Sequence, residues 1–307
     1  MSNSSCVVFE QASKSFGDLV ALDSLSLAIP SGCIYGFIGP NGAGKTTAMR
    51  LLLGIMKPSS GGVQVLGASD GKSARSQIGY LPEEKGLYPR MRVLDFVVYM
   101  GRLNRLDKRQ ATRRARDLLD EFDLKDWQNE KCQSLSKGMG QKVQLISTLV
   151  HDPQLMILDE PFSGLDPINT DVVRSMILSR VESNATVILS THIMEQAETL
   201  CSALVLINKG RAVLEGSMDE IRSGDTVYLE HNRDESVLRD LPGVLSVKQF
   251  GRGATLRIDP SQDSQDLLRS LMERTNILKF DTTSASLHEI FVREVGRDVQ
   301  EEEAENA

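Results

Sequence analysis

Cysteine and long apolar runs are scarce in this sequence, and each scarcity excludes a class of protein. Four cysteines, Cys6, Cys33, Cys132 and Cys201, are scattered over 307 residues. They show no C-x-x-C spacing and have no histidine nearby to complete a zinc set, so neither a disulfide scaffold nor a zinc module is expected. Reduced thiols in a cytoplasmic protein fit best. No window approaches the roughly 18 uncharged apolar residues of a spanning helix. The opening MSNSSCVVFEQ lacks both a basic stretch and a long apolar core, so a chain neither exported nor membrane-spanning is expected. Neither sign of charge dominates, with 35 basic against 42 acidic residues and a net charge of −7. The basic excess that nucleic-acid binding calls for is missing, and no nucleic-acid partner is expected.

What is present is patterned, and the length allows a large domain beside a smaller one. From Cys6 to about Pro30 short, partly alternating apolar runs read as strands of an antiparallel edge. CIYGFIG then runs into a glycine-rich loop, and helical spacing follows from Thr46 to Ile55. Between Arg90 and His151 the pattern is helical, which predicts a helical subdomain inserted at about 84–150. LMILDEP, ATVILST and ALVLIN are short, nearly continuous apolar runs, the mark of a parallel sheet buried on both faces. After a polar stretch, VYLE, ESVLRDL, VLSVKQF, ATLRI, SQDLLRSLMER and ILKFD read as strand, helix, strand, strand, helix, strand, a ferredoxin-like order. The expected organisation is an α/β domain over 1–222, an α+β domain over 225–298 and a solvated acidic tail over 299–307.

The loop between the CIYGFIG strand and its helix carries the strongest local signal. Gly39, Pro40, Asn41, Gly42, Ala43, Gly44, Lys45, Thr46 and Thr47 spell G-x-x-x-x-G-K-[ST] in the strand–loop–helix context that the motif requires. Glycines let backbone N–H groups converge on a phosphate, and the helix N-terminus adds its positive end. Lys45 is placed to bridge the β- and γ-phosphates, Thr46 to offer a hydroxyl to Mg²⁺, and Thr47 to reach the α-phosphate. The plainer reading, a glycine-rich turn with an incidental lysine, leaves that flanking pattern unused.

Asp159 and Glu160 end the LMIL strand, where α/β sheets bind ligands. Asp159 is expected to hold Mg²⁺ through water, and Glu160 to act as general base toward a water attacking the γ-phosphate. A pair of acids can also simply terminate a strand, and the upstream loop is what weighs against that. His192, in Ser190-Thr191-His192, follows the next apolar strand and should emerge at the same edge, within reach of the γ-phosphate and Glu160. His151, His231 and His288 have no such context and read as structural.

Taken together, these motifs resemble the ATP-binding cassette family, the branch of P-loop NTPases that drives ABC transporters. Leu135-Ser136-Lys137-Gly138-Met139-Gly140-Gln141 resembles its LSGGQ signature, with Lys137 and Met139 departing from the consensus. Ser136 and Gly138, which remain, imply a second phosphate site at a helix start, completing the ATP pocket of an opposite subunit. Ser163-Gly164-Leu165-Asp166 resembles the D-loop of the dimer interface, and Phe16 the aromatic that stacks on adenine. Glu83 stands where the family's Q-loop has a glutamine facing Mg²⁺ and the attacking water; it can accept from water but not donate as an amide does. YLPEEKGLYPRMRV, LSKGMGQKV and Ser286–Phe291 are similar to the sodium-exporter-type branch of bacterial ABC-2 ATPases. The resemblance implies a P-loop fold with an antiparallel β subdomain and a helical insertion. It implies ATP and Mg²⁺ as cofactors, a homodimer, and an integral membrane permease served from the cytoplasmic face, with Tyr88, Arg90 and Met91 as candidates to meet it.

A cluster of cations from Arg102 to Arg116 is interrupted by Asp107 and has no interleaved aromatics, so it reads as a solvated helix face, with anionic lipid as the alternative. Two other classes compete for the whole chain. A cassette protein acting on ribosomes or DNA would be expected to carry two cassettes or a coiled-coil insertion. A metabolic P-loop kinase would leave the LSKGMG and STH segments unexplained.

Overall fold

The computed structural model describes residues 5–84, 86–222, 226–231, 238, 241–250, 253–259, 262–282 and 286–292. Its contacts divide into two compact units, Met1–Glu215 and Gly216–Ala307. The acidic tail expected over 299–307, and most of the helix expected from ESVLRDL, lie outside the described residues.

The first unit opens with β1 (Ser5–Phe16) and β2 (Leu19–Pro30), joined in an antiparallel hairpin, to which β4 (Ser60–Val65) adds on the far side of β1. The six-stranded sheet runs in the order β5-β6-β7-β3-β8-β9, built from β3 (Ile34–Ile38), β5 (Ile78–Leu81), β6 (Leu155–Asp159), β7 (Thr186–Thr191), β8 (Ala203–Asn208) and β9 (Arg211–Ser217). The pairings from β5 through β8 are parallel. Every residue of β3, β6 and β7 is buried, which is why these strands read as unbroken apolar runs rather than alternating ones.

Register decides where the chemistry lands. Ile38 at the end of β3 pairs with Thr191 at the end of β7, and Asp159 at the end of β6 pairs with Ser190. Three adjacent strands thus deliver the glycine loop, the acidic pair and the histidine turn to one carboxyl edge, the crevice where open α/β sheets bind ligands. Helices α1 (Lys45–Leu52), α2 (Gly71–Ala74), α6 (Pro167–Glu182) and α7 (Met194–Leu200) intersperse these strands in sequence.

The helical insertion consists of α3 (Val93–Leu103), α4 (Lys108–Glu121) and α5 (Lys137–Leu149). α4 starts on the Asp107 carboxylate, which accepts from Gln110 N at 2.8 Å, and it buries the small Ala111 and Ala115 so that α3 approaches closely at Gly101. Its outer face carries Lys108, Arg109, Arg113 and Arg116 to solvent, as the pattern implied.

The second unit is described by itself. α8 (Met218–Arg222) begins on a capping box in which Ser217 N donates to Glu220 Oε2 at 2.9 Å and Glu220 N to Ser217 Oγ at 3.2 Å. β10 (Thr226–His231), β11 (Val244–Phe250), β12 (Gly253–Ile258) and β13 (Ile277–Asp281) form an antiparallel sheet in the order β11-β12-β10-β13. The order of this sheet is that of a ferredoxin-like unit. α9 (Ser264–Arg274) buries Leu267 and Leu271 in the cluster that holds Val227, Leu229 and Leu256. Ser286 and Glu289 form a second capping box, and Leu287 and Ile290 are buried.

All four cysteines are free, and only Cys33 is more than slightly exposed. Burial raises the Cys6 and Cys132 thiols, and pushes Cys33 to about 11 and Cys201 to about 12, so little nucleophilic thiolate exists at neutral pH. Native protein treated with a thiol reagent at neutral pH should therefore label far more slowly than unfolded chain, which should titrate four groups. Rapid labelling of the native protein would contradict this burial. No helix among the described residues is long and apolar enough to cross a membrane.

Candidate functional site

The glycine loop is shaped by positions where a side chain has no room. Gly39, Gly42 and Gly44 take φ values of 153°, 81° and 112°. A Cβ at Gly39 would collide with the Ile207 carbonyl, and one at Gly44 with the Ala21 carbonyl, so the loop is wedged between the ends of β8 and β2. The Gly44 N-cap has no side chain to occupy the first N–H groups of α1, which are left open toward an anion. Lys45, 6% exposed, curls back so that Nζ donates to Gly39 O at 2.7 Å and Pro40 O at 3.0 Å. Burial lowers its pKa, opposed by the nearby charges of Glu160, Asp159 and Glu83.

Facing the loop, Asp159 is held from two sides. Thr46 Oγ1 donates to Oδ2 at 3.2 Å, and the Ser190 hydroxyl donates to Oδ1. Glu160 turns away from the strand with φ 49°, an uncommon conformation for a residue with a side chain, and its N–H is fixed by Ser190 O at 3.2 Å. Its Oε1 accepts from His192 N at 3.1 Å and lies 2.7 Å from His192 Nδ1. A carboxylate only accepts, so the proton sits on Nδ1. That leaves Nε2 on the exposed edge of a ring that is 48% accessible.

Most of these groups border one cleft of about 580 Å³, to which Ser190 and His192 are joined through their bonds to Asp159 and Glu160. Asn41, Gly42, Gly44, Lys45, Thr46, Thr47, Glu83, Asp159 and Glu160 line its polar side, and Phe16, Leu19, Val20 and Ala21 its apolar side. Phe16 is 45% exposed, with Lys14 Nζ 5.3 Å from its ring centre. An exposed aromatic face beside a phosphate cradle suits a ligand with a flat base and a polyanionic end. The structure thus brings together every residue expected in the cis half of the site: Gly39 to Thr47, Phe16, Glu83, Asp159, Glu160 and His192.

Other residues in or behind the cleft escaped sequence reasoning. Ser190 was visible only as part of the histidine turn, yet it pins both acids. Lys209 and Gly210 form the β8–β9 turn, with φ 45° and 82°, and close the cleft beneath Ala21. The Lys-Gly pair was legible as a tight turn, but its place beside the loop depends on strand order.

Ser136 and Gly138 lie elsewhere. Ser136 caps α5, accepting from Met139 N at 3.3 Å, and neither residue lines the cleft of its own chain. The first turn of α5 packs on the segment that leaves Glu160: Gln141 Nε2 donates to Pro161 O at 3.1 Å, and Gly138 lies against the Asn169 side chain. Asp166 caps α6, accepting from Asn169 N at 2.9 Å. Backbone and side-chain hydrogen bonds from Asn169 hold its carboxyl below the ordinary range. Tyr88, Arg90 and Met91 gather with Pro89 and Tyr99 around a shallow apolar surface, where Tyr88 meets Tyr99 edge-on at 6.0 Å.

Comparisons with known proteins agree with this geometry. Residues 22–163 match the family model described as ABC transporter, and residues 216–295 match that described as ATP-binding protein DrrA1-3-like, C-terminal domain. An uncharacterized ABC transporter ATP-binding protein of Bacillus subtilis is 38% identical over 293 residues, covering 94% of this chain and 98% of that protein. Nod factor export ATP-binding protein I of Burkholderia lata is 32% identical over 299 residues, covering 95% and 98%. A solved ATP-binding subunit of an ABC transporter superposes with a TM-score of 0.66 at 29% identity, covering 70% of this chain and 91% of its own. A glycine loop, acidic pair and histidine turn at one sheet edge, and relatives alike along almost the whole length, have one explanation: the chain belongs to the family of ABC transporter ATP-binding subunits, in its DrrA-like exporter branch, and hydrolyses ATP.

Proposed function

We propose that two copies of this chain close head to tail on two molecules of Mg-ATP, and that closure and reopening drive a separate integral membrane permease from its cytoplasmic face. The observation that carries the reading is the Thr46–Asp159–Ser190 and Glu160–His192 bonding across adjacent strands beside Lys45. It supplies a phosphate cradle, a metal ligand and a positioned base in one cleft.

In this reading Glu160 accepts a proton from water as that water's oxygen bonds to the γ-phosphorus and the bond to the β–γ bridging oxygen breaks, releasing ADP and phosphate. Lys45 offsets the phosphate charge. His192 orients the Glu160 carboxylate through Nδ1–H and turns Nε2 toward the γ-phosphate. Phe16 stacks on the base, and Asn41, Ala43 and Thr47 contribute loop contacts. The donors suit magnesium: the Thr46 hydroxyl and the Asp159 carboxylate are hard oxygens already 3.2 Å apart. Bound there, Mg²⁺ would neutralise charge on the phosphate oxygens. Glu83 is proposed to face that ion and the attacking water. Ser136 and Gly138 serve the ATP of the opposite copy, and Tyr88, Arg90 and Met91 receive the permease.

Two measurements test this. A chelator should stop ATP turnover and added Mg²⁺ restore it; turnover indifferent to chelation would remove the metal from the reading. Extraction in detergent from the native host should co-purify an integral membrane protein. Recovery with ribosomes and no such protein would replace the transporter reading with a soluble regulator.

A further inference from the structure

We propose that Lys137 is a catalytic residue, its ammonium group contacting the γ-phosphate of the ATP held in the cleft of a second copy, a cation in trans to complement Lys45 in cis. The inference rests on the head-to-tail dimer proposed above.

Lys137 is the first residue of α5, directly after the Ser136 cap, and it is exposed. A cation at the positive end of a helix is placed against the macrodipole, and the first turn contains no acid to offset it. Among the described residues no carboxylate makes an ion pair with Lys137; the pairs formed by Arg114, Lys125, Arg174, Arg180, Arg211 and Arg269 lie elsewhere. The arrangement is unfavourable in the isolated chain and becomes favourable when an anion arrives.

The side chain is also directed. It crosses the backbone of Gly164, and a Cβ at Gly164 would overlap Nζ and Cε, so only glycine leaves it this course. Gly164 has φ 66° and lies in the turn that begins at Glu160, where Ser163 N donates to Glu160 O at 3.1 Å. The ammonium thus stands between the Ser136 cap and the Ser163-Gly164-Leu165-Asp166 segment, the two stretches expected to face the ATP of the other copy. A lysine in place of the signature's first glycine then adds charge where the consensus offers only N–H groups and a hydroxyl.

The test uses the full chain in the Glu160→Gln background, with ATP-dependent dimerisation followed by analytical ultracentrifugation in Mg²⁺. Lys137→Met keeps the packing over Gly164 and removes the charge; Lys137→Arg keeps the charge. The methionine variant should weaken the ATP-dependent dimer roughly a hundredfold to ten-thousandfold, because one charge-assisted hydrogen bond is lost at each of the two ATP sites, and the arginine variant by no more than about tenfold. ATP binding by the dilute monomer should be the same in all three proteins. A Lys137→Met protein that dimerises like its parent overturns the proposal. So does equal weakening by both variants, which would show a packing role only. If Glu160→Gln alone fails to dimerise with ATP, the head-to-tail reading itself falls, and this inference with it.

Discussion

Glu160→Gln should lower steady-state ATP turnover by roughly two to four decades, the usual worth of a positioned general base, while ATP binding persists. The reasoning is local. The amide is nearly isosteric with the carboxylate, and its oxygen can still accept from His192 N and Nδ1, which now hold Glu160 Oε1 at 3.1 and 2.7 Å. The φ of 49° at this residue is maintained by the Ser190 and Ser163 bonds of the turn rather than by the side chain. The cradle on the other side of the cleft is untouched, so nucleotide affinity should stay near that of the parent. What disappears is the acceptor for the water's proton, and ATP should accumulate unhydrolysed in a closed dimer. Turnover assayed by phosphate release checks the first part, and ATP-dependent dimerisation the second. Turnover within a factor of about two of the parent would remove Glu160 from the base role.

Why so much of this site was legible in the sequence, and the remainder was not, follows from what each part depends on. The glycine loop, Asp159 with Glu160, and His192 are each local: a buried strand, then a turn, then polar residues at the turn. Because every such strand of a parallel sheet points the same way, three strand ends share an edge whatever their order. The details that depend on order were hidden. That β7 lies between β6 and β3 lets Ser190 reach both Asp159 and the Glu160 N–H, and nothing in Ser190-Thr191-His192 states which strand is next to it. Leu19 and Val20 are the first residues of β2, and they become a cleft wall only because the start of β2 lies over the loop. The path of Lys137 over Gly164 joins residues 27 positions apart and needs the packing of α5 on the turn after Glu160. The second unit was legible further, since its succession of strand and helix segments implied a ferredoxin-like unit and the order β11-β12-β10-β13 is that of such a unit.

Lys45→Ala should have the other large effect, this time on binding, with ATP affinity falling at least roughly a hundredfold if two charge-assisted hydrogen bonds of about 1.5–3 kcal/mol are lost. Lys45 is 6% exposed, and its Nζ is the only cation whose bonds to the loop carbonyls Gly39 O and Pro40 O appear among the described residues. Without it, the cradle loses the protein's own cation beside Asp159, Glu160 and Glu83, and neutralising the phosphates is left to the proposed Mg²⁺ alone, so attraction weakens. Arginine should not rescue, because a planar fork cannot enter a loop closed around a slender ammonium. The nucleotide-free protein offers an independent check through pH. Burial lowers the Lys45 pKa from 10.5, so the unfolded chain holds that proton more tightly than the folded one. In the window between the lowered value and 10.5, unfolding takes up protons and stability from this group rises with pH. Measured by thermal melts, wild type should therefore gain stability relative to Lys45→Ala as pH climbs through that window. Saturating ATP should remove the difference in slope by supplying the negative charge that holds the proton in place. A variant that binds ATP as tightly as the parent, or a stability difference independent of alkaline pH, would show that Lys45 is not the buried cation of the cradle.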